Sequence, residues 1–464
     1  MKEVVDQVIS AQWIAPVMPD PTEVRKNCSV VLNGGVITDI LGSEEAKLKY
    51  NAKEWTDFEN HMLIPGLVNA HTHASMTLMR GIGDDEPLMS WLQNTIWPIE
   101  MSLGNEDFCH DGTMLSAVEM LKSGTTTFND MYWHPSATAR ACGEVGIRAV
   151  LGMIVVGFPS SYAKDYDEYI QKGQSTLAEF LDHPTVHFSY APHAPYTVSD
   201  EILTRLGDLC KAEDRKLHIH LHETEDECNS SEALDKSPMC HRSEFAGRPI
   251  QNLERLGLLN KNLVAAHAVH VKDEEIALLA EREVSTVHCP TSNLKLASGF
   301  CPVAKLLEAG VNVAIGTDGS ASNNALDMVA EMKTAAILAK AVAKDTTAVP
   351  AATALKMATY NGAKALGLGD KIGSLQVGKS GDMIAVELGA RAANTPVFDP
   401  ISSFVYSSHG ADVSDAWVNG QRVMRERRVT TMDEKDILEK AHSWVDKINA
   451  LNLDPHPNHH PKET

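Results

Sequence analysis

The residues best suited to chemistry in this chain are histidines and carboxylates that close a series of short apolar runs. His71-Thr72-His73 ends the first run, and on a strand residues i and i+2 project to the same side, so both imidazoles face one way. The fourth run ends at His193, the fifth at His220 with Glu223 just beyond, the sixth at His267 and the eighth at Asp318. Imidazole nitrogens with one carboxylate form a donor set for Zn²⁺ or Fe²⁺. If His71, His73, His220 and Asp318 hold one cation, a further position is left for water, whose pKa the cation would lower toward neutrality. A single histidine at a strand end is most often a core residue satisfied by hydrogen bonds. Five strands ending in such residues favour a metal centre.

The elements that must position these groups can be read from the alternation of runs. Eight β-branched or apolar runs are counted, at residues 63–69, 125–131, 148–156, 187–191, 217–221, 263–268, 284–288 and 311–316. Helix-period segments such as 111–121, 200–212, 273–280 and 304–309 fall between them. Eight β-then-α units in about 250 residues predict a (β/α)₈ barrel, whose chemistry collects at the C-terminal ends of the strands. An open doubly wound sheet is the competing arrangement, but it rarely needs eight such evenly spaced strands. Both chain ends read as β: a hairpin at 30–37 around an Asn-Gly turn, a second at 417–423, and a short strand at 382–387. Neither end has enough strands to stand alone. The expectation is therefore one small β-sandwich-like domain built from residues 1–64 and 373–435. It flanks a barrel at 65–372, with a helix and a disordered tail at 436–464.

Here the sequence resembles the amidohydrolase superfamily, and within it the 5′-methylthioadenosine/S-adenosylhomocysteine deaminases. The matching stretches are Pro65-Gly66-Leu67-Val68-Asn69-Ala70-His71-Thr72-His73, Trp97-Pro98-Ile99-Glu100, Pro192-His193-Ala194-Pro195-Tyr196 and His220-Leu221-His222-Glu223-Thr224. Ala266-His267-Ala268-Val269-His270 and Gly316-Thr317-Asp318-Gly319-Ser320-Ala321-Ser322-Asn323-Asn324 complete them. The resemblance implies an α/β barrel enzyme with one divalent metal, Zn²⁺ or alternatively Fe²⁺, on His71, His73, His220 and Asp318. It also implies hydrolytic removal of the exocyclic amine of an adenine nucleoside. In that scheme Asp318 accepts the proton of the metal-bound water and His267 orients the hydroxide. Glu223 protonates the ring nitrogen, Glu100 grips the ribose diol and His193 contacts the adenine. A proton on the ring before the amine departs is sound acid–base logic. Strand four carries no lysine to bridge two metals, and no P-C-x-x-C exists for the other zinc deaminase class. Related substrates such as a triazine, guanine or 8-oxoguanine are the alternative. Met153, aligned where relatives that take S-adenosylhomocysteine place an arginine, favours the uncharged thioether of methylthioadenosine.

Composition narrows the partners. The 464 residues carry 41 Lys+Arg against 62 Asp+Glu, a net charge of −21. A phosphate backbone or anionic membrane would be repelled, so no nucleic acid and no membrane partner is expected. The resemblance implies a small nucleoside as the partner, and a homo-oligomer is compatible with the sequence. No run approaches 18 apolar residues, and the first twenty show no signal peptide. The eight cysteines lack any C-x-x-C pair, which reads as reduced thiols in the cytoplasm. Other signals are set aside. Gly373-Ser374-Leu375-Gln376-Val377-Gly378-Lys379-Ser380 matches the P-loop pattern, yet a strand follows it where a helix is required, so an NTPase is disfavoured. A non-catalytic scaffold is disfavoured because all the ligand positions are filled. His222 and His270 are expected to be structural, the tail histidines His456, His459 and His460 are expected to belong to a solvated Pro-rich tail and not to a loose metal site, and His288 is a candidate to line the pocket. The segment 87–97, with Asp85 as its cap and Pro87 in its first turn, reads either as core packing or as a lid leading to Glu100.

Overall fold

The computed structural model describes residues 2–86, 88–229, 245 and 247–453. Its eight central strands are buried along nearly their whole length, as in a parallel sheet covered on both faces. They are β5 (Leu67–Thr72), β6 (Thr125–Asp130), β7 (Arg148–Val155), β8 (Val186–Pro192), β9 (Leu217–Leu221), β10 (Leu263–His267), β11 (Ser285–His288) and β12 (Asn312–Ile315). They pair in sequence order, all parallel, with helices between them, forming the (β/α)₈ barrel.

The other eight strands form one mixed sheet from both chain ends. From the N-terminal side come β1 (Glu3–Ile14), β2 (Arg25–Asn33), β3 (Val36–Gly42) and β4 (Tyr50–Pro65). From the C-terminal side come β13 (Met383–Glu387), β14 (Val413–Val418), β15 (Gln421–Arg425) and β16 (Arg428–Val429). The join is the antiparallel pair β4–β13, with Met383 opposite Pro65. The sheet is continuous but rolled, so its two halves enclose Ile9, Val30, Leu32, Leu63, Met383 and Trp417 as in a sandwich. The two hairpin tips touch: a side chain on Gly420 would stand 2.4 Å from the Cα of Gly35. The first hairpin turns on Gly34-Gly35, both in the left-handed region, one residue later than the Asn-Gly turn expected. The second turns on Asn419-Gly420.

Two details refine the strand reading. The apolar run 63–69 is two strands, not one: it ends β4 at Pro65, turns at Gly66 and restarts as β5. A side chain on Gly66 would fall 1.9 Å from Thr126 Oγ1, so the bend is open only to glycine. The P-loop pattern is a turn before β13, and Lys379 Nζ spends its hydrogens on Gly369 O (2.5 Å) and Ser374 Oγ (2.6 Å) of its own loop.

The sheet and barrel are tied by a buried bidentate pair at the N-terminal end of β7. Arg148 Nε and Nη2 donate to Asp382 Oδ2 (2.7 Å) and Oδ1 (3.0 Å), with side chains 3% and 1% exposed. A C-terminal helix, Glu434–Asn449, docks on the barrel helix Glu106–Lys122 through Trp444. Its indole donates to Asp111 Oδ2 (3.0 Å) and stands edge-on to Phe108. The expected tail at 454–464, with its histidines, lies outside the described residues. Among the described residues no helix is long and apolar enough to cross a membrane. Removing one member of a buried pair strands the other charge, so Asp382→Asn should destabilise the chain by about 3–5 kcal/mol. Urea unfolding measures this, and a loss under about 1 kcal/mol would deny the pair that role.

Candidate metal centre

The seam where strand one meets strand eight sets the geometry. Asn69 bridges it with both ends of its amide: Oδ1 accepts from Thr317 N (3.0 Å) and Nδ2 donates to Thr317 Oγ1 (2.7 Å). Gly316 lets the strands close, because a Cβ there would lie 2.7 Å from His71 O. Past it, Asp318 N donates to His71 O (3.0 Å) and Thr72 Oγ1 donates to Asp318 O (2.8 Å).

This closure brings His71, His73, His220 and Asp318 together, with one ligand atom from each within 4.8 Å of all the others. Asp318 Oδ1 stands 3.3 Å from His71 Nε2 and 3.1 Å from His73 Nε2. His73 Nδ1–H is anchored on Met131 O (2.6 Å) and His220 Nδ1–H on His193 O (2.7 Å), which turns each Nε2 toward the other donors. His71 Nε2 is fully buried and, among the described residues, has no hydrogen-bond partner. An orphaned ring nitrogen among converging imidazoles and a carboxylate fits a divalent cation, and three nitrogens with one oxygen suit zinc. Burial drives His71 down to about 4 and, together with neighbouring imidazoles, His220 well below the usual range, so both offer lone pairs. For His73, burial is outweighed by Asp318, which raises it to about 9. That proton must leave when a cation arrives.

Asp318 is held as a carboxylate. Burial would raise its pKa, but the His71 and His73 imidazoles beside it take it well below the ordinary range. Its Oδ2 accepts from Ser292 Oγ (2.6 Å) and Ser322 Oγ (3.0 Å), and Oδ1 from Gly319 N (2.8 Å). Asp318 and His267 both sit at positive φ, 63° and 74°, conformations that non-glycine residues adopt at a cost and that turn these side chains into the barrel mouth. His267 Nδ1 meets Asn293 Oδ1 (2.9 Å), and Nε2 faces Glu223 Oε2 at 3.9 Å. Burial lowers the His267 pKa, yet the Glu223 and Asp318 carboxylates more than reverse it. Burial raises Glu223, whose backbone N–H donates to Glu227 Oε2 (2.8 Å) while that of His222 donates to Oε1 (2.8 Å).

Above the donors lies an apolar pocket. The helical segment 88–103 forms one side, with a wide π turn at Leu92–Ile96 just before Pro98, and it presents Leu88, Trp91, Leu92, Ile96, Trp97 and Glu100. Pro87 lies outside the described residues, and Asp85 sits at φ 67°, left-handed rather than in the extended form usual for a cap. His193 lines the opposite side, its Nδ1 3.0 Å from Thr197 Oγ1. Burial lifts Glu100 to about 7 against the pull of Tyr132, His73 and Trp133. Tyr132 and Trp133 line the same pocket, and among the described residues Tyr132 Oη and Trp133 Nε1 have no hydrogen-bond partner.

Sequence reasoning overlooked Tyr132, Trp133, Ser292, Ser322 and Glu227. Tyr132 and Trp133 follow directly on β6, and a strand-end rule applied to every strand would have found them. The expectation for Met153 is overturned. Met153 points outward, its side chain filling the space beside Gly173, while its inward neighbours Ile154 and Val156 line the pocket. His288 is buried and absent from the pocket lining. His222 Nε2 accepts from Ile250 N (3.2 Å) and its Nδ1 meets His270 O (3.2 Å), a structural placement for His222. His270 Nε2 meets Ser298 O (2.6 Å), equally structural.

Comparison with known proteins agrees with this geometry. The sequence model of the amidohydrolase family matches residues 62–423. A 5-methylthioadenosine/S-adenosylhomocysteine deaminase of Teredinibacter turnerae is 42% identical over 446 residues, covering 96% of this chain and 98% of that one. A 5′-deoxyadenosine deaminase of Methanosarcina acetivorans is 40% identical over 447 residues, covering 96% and 99%. The crystal structure of an adenosine deaminase from Xanthomonas campestris with bound zinc superposes with a TM-score of 0.93 at 42% identity, over 97% of this chain and 100% of that one. Elemental analysis should find about one equivalent of metal in the wild-type chain and far less in Asp318→Asn, with circular dichroism unchanged. Equal metal in both would remove Asp318 from the donor set.

Proposed function

Because this chain belongs to the amidohydrolase family, we propose that it removes the exocyclic amine of an adenine nucleoside by hydrolysis, giving the hypoxanthine product and ammonia. The observation that carries this reading is the convergence of three imidazole nitrogens and a carboxylate beneath a pocket that also holds Glu223 and Glu100. A Zn²⁺ ion held by His71, His73, His220 and Asp318 would lower the pKa of water toward neutrality, supplying hydroxide.

The chain's own groups do the rest. Glu223, whose pKa burial raises, delivers a proton to the ring nitrogen beside the attacked carbon. Asp318, an acceptor only, takes the proton from the attacking water. His267, tied to Asn293 through Nδ1, presents Nε2 to orient that water. Asp318 then passes the water's proton to the amine, which leaves as ammonia, while the new hydroxyl gives up its proton to Glu223 as the carbonyl forms, restoring both groups. Trp91, Trp97 and Phe158 offer apolar faces to the nucleoside, His193 stands at the base, and Glu100 accepts from the ribose diol.

The wall also selects the substrate. Among the described residues lining the pocket there is neither lysine nor arginine. A 5′-methylthio or 5′-deoxy group meets apolar surface, whereas the amino-acid tail of S-adenosylhomocysteine would bring a carboxylate with no cation to receive it. A charged hydrogen bond is worth roughly 1.5–3 kcal/mol. The enzyme should therefore favour methylthioadenosine over S-adenosylhomocysteine in kcat/KM by about tenfold or more. A reversed preference would sink this assignment of the wall. The cysteines support a cytoplasmic setting, since the seven described are all free and six are buried.

Two further measurements test the residue roles. Glu223→Gln should lower kcat by about 10²–10⁴ while metal content stays at the wild-type level, and retained turnover would exclude Glu223 as the proton donor. Glu100 is a strong acceptor only when ionised, so KM should rise as pH falls through about 7. A substrate lacking both ribose hydroxyls should show no such rise, and if it does, Glu100 does not read the diol.

A further inference from the structure

His218 has no part in the scheme above. It lies on β9 two residues before His220, and so on the same inward face of the strand. It is 1% exposed, and burial drives its pKa well below the usual range, so it is a neutral ring with one donor and one acceptor nitrogen. Its Nε2 stands 2.8 Å from Nδ1 of His71, with the two rings nearly perpendicular and their centroids 4.9 Å apart. Its Nδ1 lies 3.1 Å from Nδ2 of Asn129, an amide already fixed on Ala70 O at 2.9 Å.

The three histidines of the centre are therefore not held alike. His73 and His220 each rest Nδ1 on a backbone carbonyl, which sets ring plane and tautomer without help from another side chain. His71 is the exception, since its Nδ1 meets a side chain. We infer that His218 is a positioning residue for the metal centre: one hydrogen shared between the two rings aims Nε2 of His71 at the cation. Without it His71 Nδ1 would be a buried polar atom with no partner, and the ring would lose the contact that orients it. This inference rests on the reading of His71, His73, His220 and Asp318 as a zinc site, and its test keeps the two apart.

Zinc affinity is measured by competition with a chromophoric chelator for the wild-type chain, His218→Leu and His218→Gln, alongside thermal unfolding of each metal-free protein. Leucine fills the space without a polar atom, while glutamine restores a group that can share a hydrogen with Nδ1. His218→Leu should bind zinc about 10–100-fold more weakly, and His218→Gln should recover most of that loss, with metal-free unfolding temperatures alike. Wild-type affinity in His218→Leu would overturn the inference while leaving the metal site standing. Equal weakening in both variants, tracking a fall in metal-free stability, would make His218 a packing residue and overturn it too. A wild-type chain that takes up no zinc would overturn the metal centre itself.

Discussion

Everything in this molecule that could do chemistry depends on closing strand one against strand eight. A parallel sheet twists steadily, and eight strands curl into a barrel only if the first and last find a way to join. Here the join is made largely by side chains, with the Asn69 amide clasping Thr317 and Gly316 giving up its side chain so that the backbone of His71 can approach. The consequence is chemical. His71 and His73 come from one side of the seam and Asp318 from the other, so the donor set is complete only in the closed barrel. His220, from the fifth strand, reaches the same point across the interior.

That arrangement runs against ordinary rules of stability. A buried imidazole nitrogen, a tyrosine hydroxyl and an indole N–H lie in the mouth without partners, and His267 and Asp318 adopt left-handed backbone angles. Such violations cluster where a ligand is meant to supply the missing contacts. Around them the groups are well braced. Asp318 is fixed by two serine hydroxyls and a backbone N–H, and the loop bearing Glu223 is pinned by the Glu227 carboxylate. The centre is thus locally unsatisfied but rigidly held, which is the preorganisation that catalysis by positioned charge requires.

Much of this was legible in the chain. Buried parallel strands read as apolar runs, and because barrel chemistry collects at their C-terminal ends, strand periodicity and the residue closing each run pointed to the same places. The rest was hidden for identifiable reasons. Most of β4 went unseen because its first residues alternate with a half-exposed face and its end pairs with β13 hundreds of positions away, and β1 went unseen with it, since the two pair with each other in parallel. The run 63–69 read as one strand because a bend at glycine leaves no break in hydrophobicity. Met153 misled because period-two alternation makes a one-residue difference decisive: the inward residue is Ile154. His218 was invisible because its partner is another histidine 147 positions earlier, a contact that only the closed barrel creates.

The central claim is metal-dependent release of an amine from an adenine nucleoside, and product stoichiometry tests it most directly. Methylthioadenosine is incubated with the enzyme as isolated, after removal of metal by chelation, and after return of zinc, while ammonia and the hypoxanthine product are quantified together. The account predicts ammonia and product in a one-to-one ratio, lost with the metal and restored with zinc. Metal-loaded protein that releases no ammonia from any adenine nucleoside, or turnover that survives complete removal of metal, would contradict it.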